Sequence, residues 1–345
     1  IDNEDFLLWK ERFVNTQKQP NLVTILLPIE LGILNNKALA KFSEFIADYG
    51  KNTVRLTKEQ NILIRNIKVD YLPNFYNFIK ENFSNFNRPF FIDKMIACTG
   101  ADTCKLGICL SQKALKYSVI PKLLRSGIDL DNISDMRINI SGCPNACGQH
   151  PIADLGFFGK SGRKDEYLYP AYNVLIGGTI NENSTKLNKM IGEVSAYRLA
   201  DFITEVIKAF VSKKEKHNTF HQYINSEGSD EIKDILQKYK DIPTFFEDKN
   251  YYFDISAKEI FSLANRGIGE CSAGLFDLIE MDLENIEILK KEIVATTDSL
   301  VKSDKIDKLV YFASRMLLIT RGVEPKNRID LFDAFIENFI DTKIV

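Results

Sequence analysis

Apolar and polar positions along the chain divide it into a mixed α+β part and a helical part. Within residues 21–84 the pattern predicts a ferredoxin-like split unit with the order β-α-β-β-α. The predicted elements are a strand at 22–27, a helix between Asn35 and a terminating Gly50, strands at 54–57 and 62–64, and a helix over 72–83. Residues 1–20 are polar and are predicted to be an entry segment or linker that leads into this unit, with a short helix as an option within it.

A second α+β unit is predicted for residues 85–212. Met136, Ile138 and Ile140 alternate with polar residues, which is typical of a half-buried strand. The other elements predicted here are helices at 110–125 and 195–211 and strands at 153–158 and 172–176. Residues 213–250 are charged and irregular and are predicted to be a linker with a short helix near 229–239.

The last part of the chain, residues 251–345, has the periodicity of helices throughout. One stripe runs from Leu275 to Ile293 at three- and four-residue steps. A second helix is predicted to begin at a Ser303 cap and to end at Gly322, and a third covers about 328–340. The predicted fold class is therefore α+β followed by an all-α domain.

The composition and charge of the chain bear on which partners and which cell compartment are expected. The 345 residues carry a net charge of -2, which gives no reason to expect nucleic acid or an anionic membrane as partner. No apolar run reaches the roughly 18 residues that a membrane span needs. The first residues, Ile-Asp-Asn-Glu-Asp, lack the features of a signal peptide, so we expect a cytoplasmic protein. Because the chain starts at Ile1 rather than Met, it is expected to be a processed or excised piece.

Five of the six cysteines lie within residues 98–147, and crowded thiols in a chain of this size indicate metal rather than disulfides. Four of them form the pairs Cys98-x5-Cys104 and Cys143-x3-Cys147, about forty residues apart. Thiolates suit iron–sulfur clusters and zinc. Zinc ribbons use two to four intervening residues, so the x5 spacing favours a cubane cluster. Zinc and inert buried thiols remain alternatives at this point.

The residues around the cysteine pairs also favour a cluster. Positions 99–103 are small and polar, and Gly142 and Gly148 bracket the second pair, so backbone N–H groups can approach the sulfurs. Cys109 is interpreted as a buried structural thiol, although it is an alternative ligand, and Cys271 as a packing residue.

These stretches strongly resemble the sirohaem sulfite/nitrite reductase family. The family signature is Cys-x5-Cys followed by Gly-Cys-Pro-Asn-x-Cys-Gly, which matches residues 96–104 and 141–148. Residues 153–159 and 172–178 follow at the family's spacing, and 54–61 resembles its half-domain motif, so the resemblance covers about 20–212. Residues 251–345, with Arg-Gly-Ile-Gly-Glu-Cys-Ser-Ala-Gly at 266–274, are more weakly similar to a HEPN-like helical extension.

The resemblance implies cofactors and roles. Cys98, Cys104, Cys143 and Cys147 would hold a [4Fe–4S] cluster, Cys147 would also bridge to the sirohaem iron, and Asn145 would lie against the macrocycle. The family reduces sulfite to sulfide, or nitrite to ammonia, by six electrons. Its electron donors are ferredoxin or a flavoprotein reductase, and basic side chains neutralise the anionic substrate.

The chain departs from the family by containing one copy of a unit that typical members contain twice. It resembles the C-terminal copy, whereas most cations that bind substrate and sirohaem come from the N-terminal copy. We therefore expect this chain to need that half, or a second subunit, and alone to bind the cluster better than sirohaem with little or no activity. A self-completing oligomeric reductase and a non-catalytic module that binds zinc or an iron–sulfur cluster are the alternatives.

Several further polar residues are weighed against ordinary structural roles. Arg55, Thr57 and Gln60 match a motif that binds sirohaem in the first copy, and we expect a non-catalytic position for them here. The basic residues near the cysteines are interpreted mainly as solvated charges, with contacts to the carboxylates of sirohaem as the alternative; they are Lys105, Arg137, Lys160 and Arg163. His150 is predicted to be a hydrogen-bonded structural residue, and His217 and His221 to be exposed.

Overall fold

A four-stranded antiparallel sheet backed by helices forms the first part of the fold. The computed structural model describes residues 3–180, 185–263, 273–323, 325, 328–342 and 344. In this sheet the strand order is β1-β2-β4-β3. Its elements are α1 (Glu4–Phe13), β1 (Val14–Thr16), β2 (Leu22–Leu27), α2 (Asn36–Ala47), β3 (Val54–Leu56), β4 (Ile62–Lys68) and α3 (Leu72–Asn82).

Helix α1 and strand β1 belong to this unit although they lie within the predicted linker segment 1–20. The Asn3 side chain accepts a hydrogen bond from Phe6 N at 2.7 Å and so caps the helix. Trp9 and Phe13 are fully buried, and the Trp9 ring lies 5.6 Å from that of Tyr76. The polar composition of residues 1–20 did not indicate that α1 packs into the core, because only one face of this helix carries the buried aromatic residues.

The second sheet has five strands in the order β11-β8-β7-β6-β5, with parallel pairing from β5 to β7 and antiparallel pairing from β7 to β11. The β7–β8 hairpin is longer than the predicted strands and turns at Asp165, whose φ is +52°. The strands are β5 (Ile96–Ala97), β6 (Ile138–Ser141), β7 (Leu155–Lys164), β8 (Tyr167–Ile176) and β11 (Lys189–Ser195), and a separate short pair is β9 (Thr179–Ile180) with β10 (Thr185–Lys186).

Helices cover this sheet and complete its core. Helix α7 buries eight of its residues, so it is the main cover of the sheet. Ile232 and Ile235 of α9 are buried in the same core, so part of the predicted linker 213–250 packs against the domain. The helices are α4 (Phe90–Asp93), α5 (Ser111–Ala114), α6 (Ile120–Leu124), α7 (Leu199–Val211), α8 (Phe220–Tyr223) and α9 (Ser229–Gln237), with π-helical turns joining α5 to α6 and α8 to α9.

The C-terminal region is helical from residue 273 onward, with α10 (Ala273–Ala295), α11 (Ser299–Thr320) and α12 (Arg328–Phe335). Residues 253–263, at the start of the predicted helical domain, form no helix, so the prediction is wrong for them. The predicted cap of the second helix is wrong. Asp298 Oδ1 accepts from the N–H groups of Leu300 and Val301, so α11 begins a turn earlier and Ser303 lies inside it. Gly322, with φ +74°, follows its end as expected.

Some predictions fall outside the described residues. Cys271 and the rest of 264–272 are among them, as is the side chain of Leu275. The similarity to a HEPN-like extension therefore stays a prediction, as do the boundaries of the predicted domains. In the described part of the chain, no helix is both long and apolar enough to cross a membrane.

Candidate metal centre

Two loops that leave neighbouring strands carry the four paired cysteines. Strands β5 and β6 are parallel, with Ile96 opposite Asn139 and Ala97 opposite Ile140. Cys98 follows β5 directly, and Cys143 comes two residues after the end of β6. Because the carboxyl ends of parallel strands leave the same edge of a sheet, residues far apart in the chain emerge side by side.

The first loop is bonded directly to the second. Cys98 N donates to Ile140 O at 3.2 Å, and Gly142 N donates to Cys98 Sγ at 3.0 Å. Ser111, which is fully buried, donates from Oγ to Cys98 O at 2.8 Å, and its Oγ lies 3.3 Å from Cys98 Sγ. The Cys98 sulfur is therefore held in place and receives a backbone N–H, which stabilises a thiolate.

Two glycines allow the loops to approach backbone to backbone. A Cβ on Gly142 would lie 2.7 Å from the Cα of Gly100 and 2.7 Å from Cys109 O. A Cβ on Gly100, whose φ is +60°, would lie 2.3 Å from Cys109 O. Neither position accepts a side chain without moving backbone, so the contact between the loops requires glycine on both sides.

The second loop is closed by polar bonds from buried side chains. Gly148 N donates to Ser141 Oγ at 3.1 Å, and Ser141 Oγ lies 2.8 Å from His150 Nδ1. Asn139 Nδ2 donates to Gln149 O at 2.9 Å. Ala146 and Gln149 both have left-handed φ values, of +58° each, and the bonds around them stabilise this conformation.

The four thiols are close enough to influence one another electrostatically. Burial raises the pKa of the Cys143 thiol, the backbone N–H of Asn145 lowers it, and the thiols of Cys98, Cys104 and Cys147 raise it further. Four soft donors on two facing loops, two of them already receiving backbone N–H groups, fit a cubane cluster. Among the described residues, which include all four of these cysteines, no group of three or more His, Cys, Asp or Glu side chains is arranged so that it could hold a metal ion. The four thiols as cluster ligands therefore stay a prediction.

The thiols differ in exposure. Cys143 is 7% exposed and Cys98 is half-buried, whereas Cys104 and Cys147 are exposed. Asn145 is exposed as well. The two residues that the resemblance assigns to sirohaem, Asn145 and Cys147, therefore lie on the outward side of the loop.

The structure gives the fifth cysteine of the region a different environment. Cys109 is fully buried, and its Sγ donates to Ala171 O at 3.3 Å, in the hairpin behind the loops. This placement supports its interpretation as a structural thiol.

Two of the four basic residues near the cysteines are engaged by carboxylates. Arg137 Nε lies 3.2 Å from Asp154 Oδ2, and Lys160 Nζ lies 2.5 Å from Glu193 Oε2. Lys105 is exposed and Arg163 is half-buried.

The histidines follow the prediction only in part. His150 is buried, and burial lowers its pKa to about 4, in line with a structural role. The prediction that His217 is exposed is wrong: it is 7% exposed, and its Nε2 lies 3.0 Å from Glu227 Oε1. Packing of α8 brings the Tyr223 ring to 5.9 Å from the His217 ring. His221 is half-buried rather than exposed, with Nε2 2.8 Å from Asn225 Nδ2.

The half-domain motif faces the cysteine loops. Arg55 Nη1 donates to the backbone oxygens of Asn52 and Val54, at 3.1 and 2.7 Å. Gln60 Nε2 donates to Ala97 O at 3.0 Å, next to Cys98. Sequence reasoning missed Ser111, Ser141 and Gln149, because no motif or spacing distinguishes a polar side chain that bonds to a distant backbone group.

A cavity of about 420 Å³ lies elsewhere, between the tip of the β7–β8 hairpin, residues 244–246 and helices α11 and α12. None of the cysteines or other predicted site residues lines it, so it is separate from the candidate metal centre.

Two family models match the chain in the expected order. The "Nitrite/Sulfite reductase ferredoxin-like half domain" matches residues 15–82, and the "Nitrite and sulphite reductase 4Fe-4S domain" matches residues 135–243. Together they cover just over half of the chain. The chain belongs to the nitrite and sulfite reductase family. The cofactors of this family are a [4Fe–4S] cluster and sirohaem, as the resemblance implied.

Individual relatives are similar over one half to two thirds of this chain. It is 25% identical over 225 residues to the assimilatory ferredoxin-dependent nitrite reductase of Haloferax mediterranei, covering 64% of this chain and 37% of the relative. It is 33% identical over 175 residues to the chloroplastic ferredoxin–nitrite reductase of Spinacia oleracea, covering 50% of this chain and 28% of the relative. It is 24% identical over 210 residues to the ferredoxin sulfite reductase of Mycobacterium tuberculosis, covering 59% and 37%.

A solved structure shares the fold. The NirA protein of Mycobacterium tuberculosis superposes with a TM-score of 0.55 at 23% identity, covering 63% of this chain and 40% of that one. The chain thus spans between 28% and 41% of the length of the first curated relatives that it matches.

Proposed function

We propose that this chain is the cluster-bearing part of a sirohaem reductase that converts sulfite to sulfide or nitrite to ammonia by six-electron reduction. The observation that carries the proposal is the convergence of two cysteine loops at the ends of β5 and β6. Cys98, Cys104, Cys143 and Cys147 are the proposed cluster ligands, and Cys147 with Asn145 is the proposed contact with sirohaem.

The protein groups around the thiols suit this role. When bound, the cluster and sirohaem supply one-electron transfers. The N–H of Gly142 is directed at the Cys98 sulfur and that of Asn145 at the Cys143 sulfur, which stabilises negative charge on both. Cys147 is exposed, so its sulfur is free to contact a second group on the outward side.

We further propose that the chain acts only together with more polypeptide, either the rest of the same protein or a second subunit. Sirohaem and its anionic substrates need cations, but Arg137 and Lys160 are already paired with Asp154 and Glu193. The curated relatives are also much longer than the matched region. Because the relatives are named as ferredoxin-dependent enzymes, ferredoxin is the proposed donor, with a flavoprotein reductase as the alternative.

Anaerobic reconstitution with iron and sulfide tests the cluster. The unmodified chain should take up about four iron and four sulfide per chain, the content of one cubane. Cys147→Ser should lower this uptake, whereas Cys109→Ser, the same change at the buried thiol, should leave it unchanged. One zinc per chain without inorganic sulfide would refute the cluster assignment.

Reductase activity tests the need for further polypeptide. With sirohaem and reduced methyl viologen, the reconstituted chain alone should reduce neither sulfite nor nitrite, and addition of the remaining part of the enzyme should restore turnover. Turnover by the chain alone would refute this part of the proposal, and its native mass would then show whether an oligomer completes the site.

A further inference from the structure

Residues 57–61 of the half-domain, here named the clamp turn, contact both cysteine loops. We propose that the clamp turn helps to set the position of one loop relative to the other. The positioning residues are Gln60, in the turn, and Gln149, which bonds to the turn from the second loop. This deepens the proposed function, because the loops it holds are those proposed to bind the cluster.

Gln60 connects the clamp turn to the first loop. Its Nε2 donates to Ala97 O at 3.0 Å, one residue before Cys98. The backbone of Gln60 has a left-handed φ of +63°. At Gly32 an added Cβ would lie 3.2 Å from the Gln60 Cβ, so the Gln60 side chain is packed closely at its base. The base of the side chain is therefore held beside Gly32, and its amide reaches Ala97.

Asn61 adds a second bond to the segment that leads into the first loop. Its Nδ2 donates to Asp93 O at 2.8 Å, and its Oδ1 accepts from Ile29 N at 2.8 Å. Asn61 is 2% exposed, so both bonds are shielded from water. The segment before Cys98 is thus bonded to the half-domain at Asp93 and Ala97.

Gln149 connects the second loop to the same turn. It lies two residues after Cys147, and its Nε2 donates to Lys58 O at 3.0 Å. Its own backbone is fixed, because its N donates to Ala146 O at 2.8 Å and its O accepts from Asn139 Nδ2 at 2.9 Å. The Gln149 side chain thereby joins the second cysteine loop to Lys58, 91 positions earlier in the chain.

The clamp turn is closed on itself and can therefore act as a fixed point. Thr57 N donates to Asn61 O at 2.9 Å, Asn61 N donates to Thr57 Oγ1 at 3.1 Å, and Gln60 N donates to Thr57 O at 3.2 Å. Both loops are bonded to this one closed element, which adds a second constraint on their separation to the direct bonds between Cys98 and residues 140 and 142. One N–H of the Gln60 side-chain amide donates to Ala97 O, which supports loop positioning as the role of this motif residue.

Shortening each glutamine by one methylene tests the proposal. Asn adopts a left-handed φ more readily than most residues, so Gln60→Asn and Gln149→Asn remove the reach of the amide without adding backbone strain. The control is Gln17→Asn, since Gln17 directly follows strand β1 of the half-domain and its Nε2 donates to Asn66 Oδ1 at 3.0 Å rather than to either cysteine loop.

Hydrogen–deuterium exchange on the cluster-free full chain is the first readout. Gln60→Asn should speed exchange of residues 96–104 about fivefold, the effect of losing roughly one net hydrogen bond, and should leave residues 145–150 less affected. Gln149→Asn should show the reverse, and Gln17→Asn should change neither segment. Unchanged exchange in both segments, or an equal increase over the whole chain, would overturn the proposal.

The second readout is the cluster itself after anaerobic reconstitution. Both loop variants should lose the cluster to a chelator several-fold faster and should alter the electron paramagnetic resonance spectrum of the reduced cluster, while Gln17→Asn should match the unmodified chain. Unaltered spectra and loss rates in both loop variants would overturn the proposal. If the unmodified chain took up no cluster, the proposed function would fail, whereas the exchange experiment would still decide whether the clamp exists.

Discussion

His150 offers a direct test of how the second cysteine loop is held. Ser141 Oγ accepts from Gly148 N and lies 2.8 Å from His150 Nδ1, so with a neutral ring its hydroxyl proton is available for donation to that nitrogen. A protonated ring would present a second N–H to the same oxygen and would carry a charge in a site that is 4% exposed. The structure therefore favours the neutral imidazole, and burial lowers the pKa of His150 from 6.5 to about 4.

The sign and size of the effect follow from proton linkage. Between about pH 6.5 and 4 the unfolded chain protonates this histidine and the folded chain does not, so the free energy of unfolding decreases as the pH falls. Each pH unit within that window costs about 1.4 kcal/mol, which amounts to about 2 kcal/mol between pH 7.5 and pH 5. Above about pH 7 the contribution should vanish.

The perturbation is His150→Asn, because the Asn oxygen can accept from Ser141 as Nδ1 does but does not titrate. The free energy of unfolding of both chains is measured by urea unfolding followed by circular dichroism. The difference in this free energy between the unmodified chain and the variant should change by about 2 kcal/mol between pH 7.5 and pH 5.

Nuclear magnetic resonance gives the decisive result. The chain has three histidines, so the ring signal of His150 can be assigned by comparing the unmodified chain with the variant. The signal that disappears in His150→Asn should titrate at about pH 4. Titration of that signal near the ordinary histidine value of about 6.5 would refute the reasoning.

Three further substitutions test the packing. Gly142→Ala should prevent iron uptake, because its Cβ would lie 2.7 Å from Gly100 Cα. The control Gly127→Ala introduces only backbone strain, at a φ of +73° where a Cβ meets nothing within 4 Å, and should retain uptake; equal uptake in both would contradict the close loop contact. Trp9→Ala should lower the free energy of unfolding by about 3–5 kcal/mol in urea titrations, and a change below about 1 kcal/mol would mean that helix α1 is not part of the core. Arg315→Met leaves the buried Asp282 carboxylate without its ion pair and should cost about 3–5 kcal/mol by thermal unfolding, and a second change, Asp282→Leu, should recover most of it.

The residues of the candidate site could be proposed from the sequence in more detail than the strands that position them. Four cysteines in two spaced pairs are a chemical signal that lies in the residue types themselves, so Cys98 and Cys143 could be proposed as cluster ligands before any strand was placed, and this assignment stays a prediction. Strand β5 has two residues, too few to show an alternating pattern, and its pairing with β6 joins segments about forty residues apart. Periodicity reports local structure and does not reveal such a pairing.

The predictions that failed share a physical cause. His217 follows a run of charged residues, and composition predicts exposure, but the packing of α8 and α9 covers it. Asp298 and Ser303 are both good N-cap residues, and only the observed bonds to Leu300 and Val301 show which one begins the helix. Gln149 bonds to a backbone oxygen 91 residues away, and a single polar residue carries no sequence signal of such a bond.

The exposure of the thiols bears on why this chain should need a partner. Cys143 and Cys98 lie on the inner side of the loops, and Cys104 and Cys147 on the outer side, so a cluster on all four would be half-covered by this chain. Solvent exposure and nearby charge are among the main determinants of the potential of a cluster. We infer that the outward side is covered in the working enzyme by sirohaem and additional polypeptide, because one exposed thiol cannot both contact the macrocycle and remain open to water. The clamp turn would then have a second consequence, since it fixes the position of the second cysteine loop before sirohaem and the additional polypeptide bind.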